Sequence, residues 1–446
     1  MLDAHLTRRS FISLAAAATA AGVVAEPSWA GVAASPEGAI EAWINRHAIP
    51  LPRTDVGGSV DDLDPLRDLV ADAHVVGLGE SAHGTREQFT LKHRAVRFLT
   101  ERVGFRTLAW EENWGSGVAI DRYVVGGGGD PRSLVAAMSS IWRSEEMLEL
   151  VRWMRAYNLA HDDKIRFLGT DLTQLRQLLF DEIVQYVSDV APQRLEELAS
   201  HLDPLRLRGA PEEHIGWYFQ QPDKQLYIDH ARAVYEMVLG LAPGPSQIDR
   251  EYAVQHARTI VGFYEYYAIL VLDTRDRFMA DTLTWWRRRT EHRAVYWAAN
   301  VHTAASPRVT YSLPPLVPPT VAVVAGSHLR QRYGGRYVSI GTVFHAGQVL
   351  TGWETGSPSV FQVPPPSASM VDHTLGQAKY PDYLLDLHAA APRPVREWLA
   401  GPATMRLIGS AYDASNDAAY AMSLDSWISA FDAIMHLNTV TPTRLL

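Results

Sequence analysis

The feature that most constrains the fold is a switch of hydrophobic period, repeated through the first part of the chain. Short apolar runs occur at His74–Gly79 (His-Val-Val-Gly-Leu-Gly), Thr107–Trp110 and Ile165–Gly169. Between and beside them, Asp61–Ala71, Thr85–Val103, Gly115–Val124 and Ser144–His161 carry apolar residues at helical spacing. Runs that are apolar throughout suit strands buried on both faces, and the intervening helices supply the crossovers that parallel pairing requires. The pattern predicts an α/β fold with a central, largely parallel sheet flanked by helices.

From about residue 173 to 290 the strand-type runs stop. This stretch reads as a helical insertion, with breaks near Gly209-Ala210-Pro211 and Pro243-Gly244-Pro245. Ala294–Ala298 then resumes the sheet, and Thr320–Ala325, Tyr337–Gly341 and Phe431–Leu437 are further strand candidates. Pro314–Pro319 and Pro364–Pro366 read as surface loops by composition. The run Gly126–Gly129 follows a helix and does not join a strand to a helix, so it is a flexible loop and no phosphate cradle. No internal repeat is present.

The N-terminus reads as a targeting segment. Arg8-Arg9 is followed by Ser10-Phe11-Ile12, and the uncharged, alanine-rich run Leu14–Val24 comes next. A twin-arginine pair before such a run begins a twin-arginine export signal. The run is too short to span a bilayer, which needs about 20 apolar residues. Small-residue cleavage patterns at Ser28-Trp29-Ala30 and Val32-Ala33-Ala34 place the end of the signal within residues 30–34. The expectation is a protein passed to the twin-arginine machinery and secreted or held in the cell envelope. The formal net charge of −9 argues against nucleic acid, whose binders carry a basic footprint. The absence of cysteine excludes disulfides, a thiol nucleophile and thiolate metal sites. The 13 Trp and 18 Tyr suit an apolar organic ligand, although most of them belong to the core.

Ligands in open α/β sheets bind beyond the carboxyl ends of the strands. Those ends carry Glu80 and His83, then Glu111 and Glu112, then Asp171, then Asn300 and His302. Acids and histidines at four strand ends that converge on one edge point to a shared active site. In the first of these loops, Thr85-Arg86-Glu87-Gln88 fits a capping box, with Thr85 as N-cap and Gln88 reaching back. His83 then lies just before a helix N-terminus, where the helix dipole disfavours a cation. A neutral imidazole there can act as a general base, with Glu80 orienting it. Gly79 and Gly84 give close access to the turn. A nucleophile elbow needs Gly-x-Ser-x-Gly. Here Ser81 follows Gly79 by two residues, but His83 occupies the second glycine position, so Ser81 is not expected to be a nucleophile. There is no His-Glu-x-x-His helix. No cofactor is expected; a divalent metal held by Glu80, His83, Glu111 and His302 is the alternative on donor chemistry.

The run Val76-Gly77-Leu78-Gly79-Glu80-Ser81-Ala82-His83-Gly84-Thr85-Arg86-Glu87, followed by Leu91-Lys92-His93-Arg94, resembles the signature of the erythromycin esterase family. The resemblance continues through Arg275-Asp276-Arg277-Phe278-Met279-Ala280, Trp297-Ala298-Ala299-Asn300-Val301-His302 and Phe431-Asp432-Ala433-Ile434. It makes residues 35–446 one catalytic domain around the helical insertion. It implies hydrolysis of a macrolide lactone ester without a serine nucleophile. It assigns the base to His83, with Glu80, Lys92 and Glu111 in the site. The last motif of the family is commonly His-Asn-x-His, and here Ala299 stands where the first histidine is expected.

Three readings follow. In the first, His83 activates water for attack on an ester or lactone of a macrolide- or polyketide-like compound. Lys92 and His302 then stabilise the oxyanion, Glu111 positions His302 or the water, and Arg86, Asn300, Arg275 and Asp171 contact the substrate. Trp217-Tyr218-Phe219 and Tyr264–Tyr267 would line an apolar cleft. In the second, the same site carries out a cyclisation or elimination in secondary metabolism. In the third, the chain binds a ligand without catalysis.

Overall fold

The computed structural model describes residues 35–446, apart from 245 and 354–355. The expected export signal, residues 1–34, lies outside the described residues. The strands, in chain order, are β1 (Ile49–Pro50), β2 (Val75–Glu80), β3 (Thr107–Asn113), β4 (Arg166–Asp171), β5 (Ala294–Ala299), β6 (Val309–Leu313), β7 (Val317–Ala322), β8 (Tyr337–Thr351), β9 (Ser359–Val363), β10 (Tyr383–Asp386), β11 (Ala403–Arg406), β12 (Ala421–Leu424) and β13 (Ala433–Val440).

The main sheet runs β1-β10-β13-β8-β2-β5-β3-β4, with β9 paired to β8. The six strands from β13 to β4 are mutually parallel. The antiparallel members β1, β10 and β9 add to this core. The fold is therefore α/β with a central, largely parallel sheet flanked by helices. Every residue of β2, β3 and β5 is buried, which is why these runs lack polar alternation. Alternate side chains feed opposite faces. Val76, Leu78, Leu108, Trp110, Val295 and Trp297 pack on one side, and Val75, Ala109, Ala294, Tyr296 and Ala298 on the other.

Between β4 and β5 the described residues form helices and no strand. The last two and longest are Gln247–Ile269 and Leu272–Thr290, joined through Leu270 in the left-handed region (φ 52°). So short a link turns the chain straight back, and residue 275 returns to the end of β4. No described helix is long and apolar enough to cross a membrane.

Three sequence expectations are corrected. Pro314–Pro319 is not wholly a loop, because Pro318 and Pro319 lie inside β7. That strand is the edge of a separate four-stranded antiparallel sheet, β11-β12-β6-β7, and an edge tolerates the missing N–H groups. The strand expected over Thr320–Ala325 stops at Ala322, and Ala325 opens the helix Ala325–Tyr333. The strand expected over Tyr337–Gly341 continues to Thr351, where its second half holds β9. His345, Gly347 and Gln348 interrupt its apolar pattern.

Candidate active site

The parallel register brings the chemistry-bearing strand ends together. Glu80 pairs with Ala299 across β2 and β5, and Asn113 pairs with Asp171 across β3 and β4. The loop after β2 is pinned by main-chain bonds: Ile408 N–H donates to Ser81 C=O at 2.7 Å, and Leu350 and Thr443 N–H both donate to Gly84 C=O. A Cβ at Gly84 would overlap the Leu350 carbonyl, and one at Gly79 would overlap the Asn300 side chain. The two glycines thus serve close packing of this turn.

One cluster forms around Glu80, which is buried. His83 Nδ1–H donates to Glu80 Oε1 at 2.7 Å, and Lys92 Nζ donates to Oε2 at 2.7 Å. Trp297 Nε1–H donates to the same Oε2 at 3.1 Å. The Lys92 side chain has no exposure, and its ammonium sits 4.2 Å from the centroid of the Trp297 ring. Burial pulls the Lys92 ammonium down to about 8, against the opposing pull of Glu80 and Glu111. The His83 side chain keeps 11% exposure. With Nδ1–H facing a carboxylate, Nε2 is left as the accepting nitrogen.

A second cluster forms around Glu111. Arg275 Nη2 donates to Glu111 Oε1 at 2.8 Å and to Asp171 Oδ2 at 2.6 Å, and its Nε donates to both Asp171 oxygens. His302 Nε2 lies 3.2 Å from Glu111 Oε1, and Nδ1 lies 2.8 Å from Asp276 Oδ1. Ala299 N–H donates to Glu111 Oε2 at 2.9 Å. Burial pushes the Glu111 carboxyl up, but His302, Arg275 and His83 outweigh it and hold it well below the usual range. Burial pushes His302 down, and Asp276 and Glu111 outweigh it, raising the ring to about 10.

Tryptophans join the two clusters. The Trp142 ring meets His83 edge-on at 4.8 Å, and its Nε1–H donates to the Glu111 carbonyl at 2.8 Å. Trp110 stacks on Trp297 at 4.2 Å and meets Trp142 at 5.2 Å. His83, Glu80 and Lys92 therefore sit beside Glu111, Arg275, Asp171 and His302 at one edge of the sheet.

Other anticipated residues lie differently. Asn300 is fully buried, and its amide exchanges bonds with the Thr342 main chain. The Arg86 side chain is half exposed and faces Glu146 at 3.9 Å. Glu112 accepts from Asn113 Nδ2 and Ser139 N–H, and burial pushes its carboxyl up. Thr85 does precede the helix Arg86–Phe98, but the capping box is not formed. Thr85 Oγ1 donates to Gln88 Oε1, and Gln88 Nε2 donates to Ser81 Oγ and to the Thr342 carbonyl. The loop needs those bonds to close on β8 more than the helix needs a side-chain cap. Ser81, fully buried and tied to Gln88, has no access to substrate. Tyr218 and Tyr264 are core residues, with Tyr218 Oη–H donating to the Tyr264 carbonyl. Tyr266 and Tyr267 both feel Arg275 and Asp171 as electrostatic neighbours, and Tyr266 also feels Asp276.

Sequence reasoning gave no role to Trp142, and it placed Asp276, with Arg275, only as an ion-pair or substrate-contacting residue without a partner in the site. Trp142 carries only the cue that it lies two residues before an N-cap serine, Ser144. For the metal alternative, each carboxylate of the donor set already faces a cation. Among the described residues no group of three or more His, Asp or Glu is placed to hold a metal ion.

Comparison with known proteins agrees with this architecture. The erythromycin esterase family model matches residues 100–440. An erythromycin esterase type II of Escherichia coli is 24% identical over 336 residues, covering 69% of this chain and 77% of its own length. A putative hydrolase of Bacillus subtilis (strain 168) is 22% identical over 442 residues, covering 93% and 94%. A crystal structure of a Bacillus cereus protein superposes with a TM-score of 0.80 at 25% identity, covering 92% of this chain and 99% of that one. An erythromycin esterase mutant in its open conformation superposes with a TM-score of 0.69 at 16% identity, over 87% and 96% of the two chains, and at that identity speaks for the fold. The family match spans well over half of the sequence, so this chain belongs to the erythromycin esterase family, whose membership supports a hydrolase of the esterase type.

Proposed function

We propose that the protein hydrolyses an ester or lactone of a macrolide- or polyketide-like compound, with His83 as general base and Glu80 as its partner. The observation that carries this reading is the His83–Glu80–Lys92 relay. A carboxylate held by a buried cation fixes one ring nitrogen as donor and leaves the other free to accept a proton at the carboxyl edge of the sheet. Nε2 of His83 takes a proton from water as the water oxygen bonds to the carbonyl carbon. The resulting imidazolium is stabilised by Glu80, as in other carboxylate–histidine pairs. The tetrahedral intermediate collapses, the C–O bond to the leaving alcohol breaks, and His83 returns its proton to that alcohol.

Oxyanion stabilisation falls to Arg275, whose guanidinium is fixed by neighbouring carboxylates and needs no reorganisation, with His302 beside it adding to the local charge balance. Arg275 retains 16% side-chain exposure. Lys92 is sealed behind Glu80, so its part is to hold that carboxylate in place beneath His83. Ala299 offers only its main chain to Glu111.

Incubating the purified protein with a panel of macrolides and simple esters, and reading products by mass, tests the proposal. Hydrolysis adds one water. An unchanged mass in a converted product indicates cyclisation, and loss of one water indicates elimination; either result replaces hydrolysis with the corresponding lyase or cyclase reaction. The twin-arginine pair at Arg8-Arg9 supports action outside the cytoplasm. Replacing both arginines with lysine should leave the protein in the cytoplasmic fraction; unchanged export would refute that assignment.

A further inference from the structure

We propose that Asp276 is a positioning residue that holds His302 as a permanent imidazolium, so that His302 acts as fixed positive charge and never as a proton carrier. The consequence for catalysis rests on the esterase reading above, whereas the charge state of the ring does not.

The argument begins with the ring's two neighbours. His302 Nδ1 faces Asp276 Oδ1 at 2.8 Å, and Nε2 faces Glu111 Oε1 at 3.2 Å. A neutral imidazole has one N–H. It would satisfy one carboxylate and turn a lone pair toward the other. Only the doubly protonated ring donates to both. Each carboxylate is itself fixed by a main-chain donor: Ala325 N–H gives to Asp276 Oδ1 at 2.7 Å, and Ala299 N–H gives to Glu111 Oε2. Neither acceptor can therefore swing away to relieve a mismatch.

The elements packed around the ring set the charge balance, and the helix Ala325–Tyr333 adds His328, an electrostatic neighbour of Asp276 that burial pushes toward its neutral form. The helix Leu272–Thr290 supplies Asp276 and Arg275. Strand β3 supplies Glu111, and β4 supplies Asp171 through Arg275. Tyr266, from the helix Gln247–Ile269, and Tyr311, from β6, lie within electrostatic reach of Asp276, and both are held neutral by burial. The three acids Glu111, Asp171 and Asp276 thus face Arg275 and His302, and a neutral ring would leave two uncompensated negative charges in a buried cluster. Arg275 Nη1 also lies 3.2 Å from His302 Nε2. That contact has hydrogen-bond geometry and is the one a neutral ring would accept; the charged ring exchanges it for the Glu111 ion pair, and the surplus of acids around the ring is what favours the charged form.

Asp276 is the decisive partner. It is fully buried, and its second oxygen, Oδ2, has no hydrogen-bond partner. Glu111 keeps Arg275 if His302 loses its charge, whereas Asp276 keeps no bonded cation. Adjacent helix residues thereby clamp the site from both ends: Arg275 grips Glu111 and Asp171, and Asp276 grips the histidine that shares Glu111.

The test reads the ring directly. In full-chain protein labelled with 15N-histidine, the His302 ring signals are assigned by their loss in His302→Asn. In the wild type they should stay at imidazolium values between about pH 6 and about pH 9, while ordinary histidines titrate. In Asp276→Asn the ring should titrate within that window, its midpoint falling by about 1–3 pH units, and Asp276→Glu should restore the wild-type behaviour. A wild-type His302 that is neutral at pH 7, or an Asp276→Asn ring that titrates as the wild type does, overturns the proposal. Should Asp276→Asn fail to fold, judged by circular dichroism, the wild-type titration alone decides. Hydrolysis of p-nitrophenyl acetate gives the functional arm: Asp276→Asn should lower kcat more than it raises KM and add an alkaline falling limb to the pH profile. If no ester is hydrolysed at all, the esterase reading fails while the ring measurement still stands.

Discussion

Two histidines stand at the same edge of the sheet, and each is bound to carboxylate. His83 has one carboxylate, shared with Lys92, and keeps a free ring nitrogen toward solvent. His302 has two, one at each nitrogen, and is sealed between them. The first arrangement leaves a nitrogen to accept a proton and a partner to steady the charge that results. The second consumes both nitrogens and leaves only charge. In the proposed mechanism, identical side chains are divided into base and electrostatic support by the number of acceptors around them, the logic by which enzymes assign distinct tasks to like groups.

The largest effect should come from the open histidine. His83→Ala is expected to lower ester hydrolysis by about 10²–10⁴-fold, the usual contribution of a general base, with folding intact by circular dichroism. Full activity in this variant would break the comparison, since the open nitrogen would then have no use. Next comes Glu80→Gln. It removes the acceptor from His83 and strands a buried ammonium, a change that costs about 3–5 kcal/mol when a buried pair loses one member. Urea unfolding should show that loss. Glu80→Gln with Lys92→Met should recover much of the stability but not the activity, which separates the structural half of the relay from the chemical half.

The two clusters also make opposite marks on stability at alkaline pH. His302 binds its proton more tightly folded, at about 10 against an ordinary 6.5. Its contribution is full below the lower value and is lost as pH rises toward the upper one. Lys92 holds its proton less tightly folded, at about 8 against 10.5. Its penalty persists below the folded value and is relieved as pH climbs to the unfolded one. Chemical denaturation should therefore show stability falling first, where His302 acts alone, and then levelling where the two oppose each other. Lys92→Met should remove the levelling, and His302→Gln the initial fall. An unaltered profile in either variant would show that the corresponding charge is not held as described.

Much of this was legible in the sequence, and the limits have physical causes. Strands β2, β3, β4 and β5 announce themselves because central parallel strands are apolar on both faces, so the residues that end them stand out. That is how Glu80, His83, Glu111, Asp171 and His302 could be gathered from four separate segments. The first half of β7 was hidden by its prolines, which an edge strand can accept, and the second half of β8 by its polar interruptions. What escaped, apart from Trp142, was the part played by residues already in view whose role depends on direction. Asp276 follows Arg275 on a helix far along the chain, and only the return of that helix to the end of β4 reveals its aim at His302. Lys92 was offered to the oxyanion as the basic residue that the family resemblance puts on the helix after His83; its burial behind Glu80 points instead to a structural part. Trp142 carries no chemical signal in the sequence, since a tryptophan ahead of a helix is most often core.

The smallest expected effect concerns Ser81, the one hydroxyl between the two glycines of the first loop. Its Oγ accepts from Gln88 Nε2 at 2.9 Å, and its side chain is fully buried. Gln88 also donates to the Thr342 carbonyl, so the amide keeps a partner when the serine is lost. Ser81→Ala should then cost about 1 kcal/mol of stability, the net worth of one neutral hydrogen bond, and leave the rate of hydrolysis within about threefold of wild type, since no reacting atom is touched. A loss comparable with that of His83→Ala would move the nucleophile from water to Ser81 and recast His83 as the base of a serine mechanism. The contrast between an open and a closed histidine would survive that result, but the open nitrogen would then take its proton from a side chain that the loop would have to unlock first.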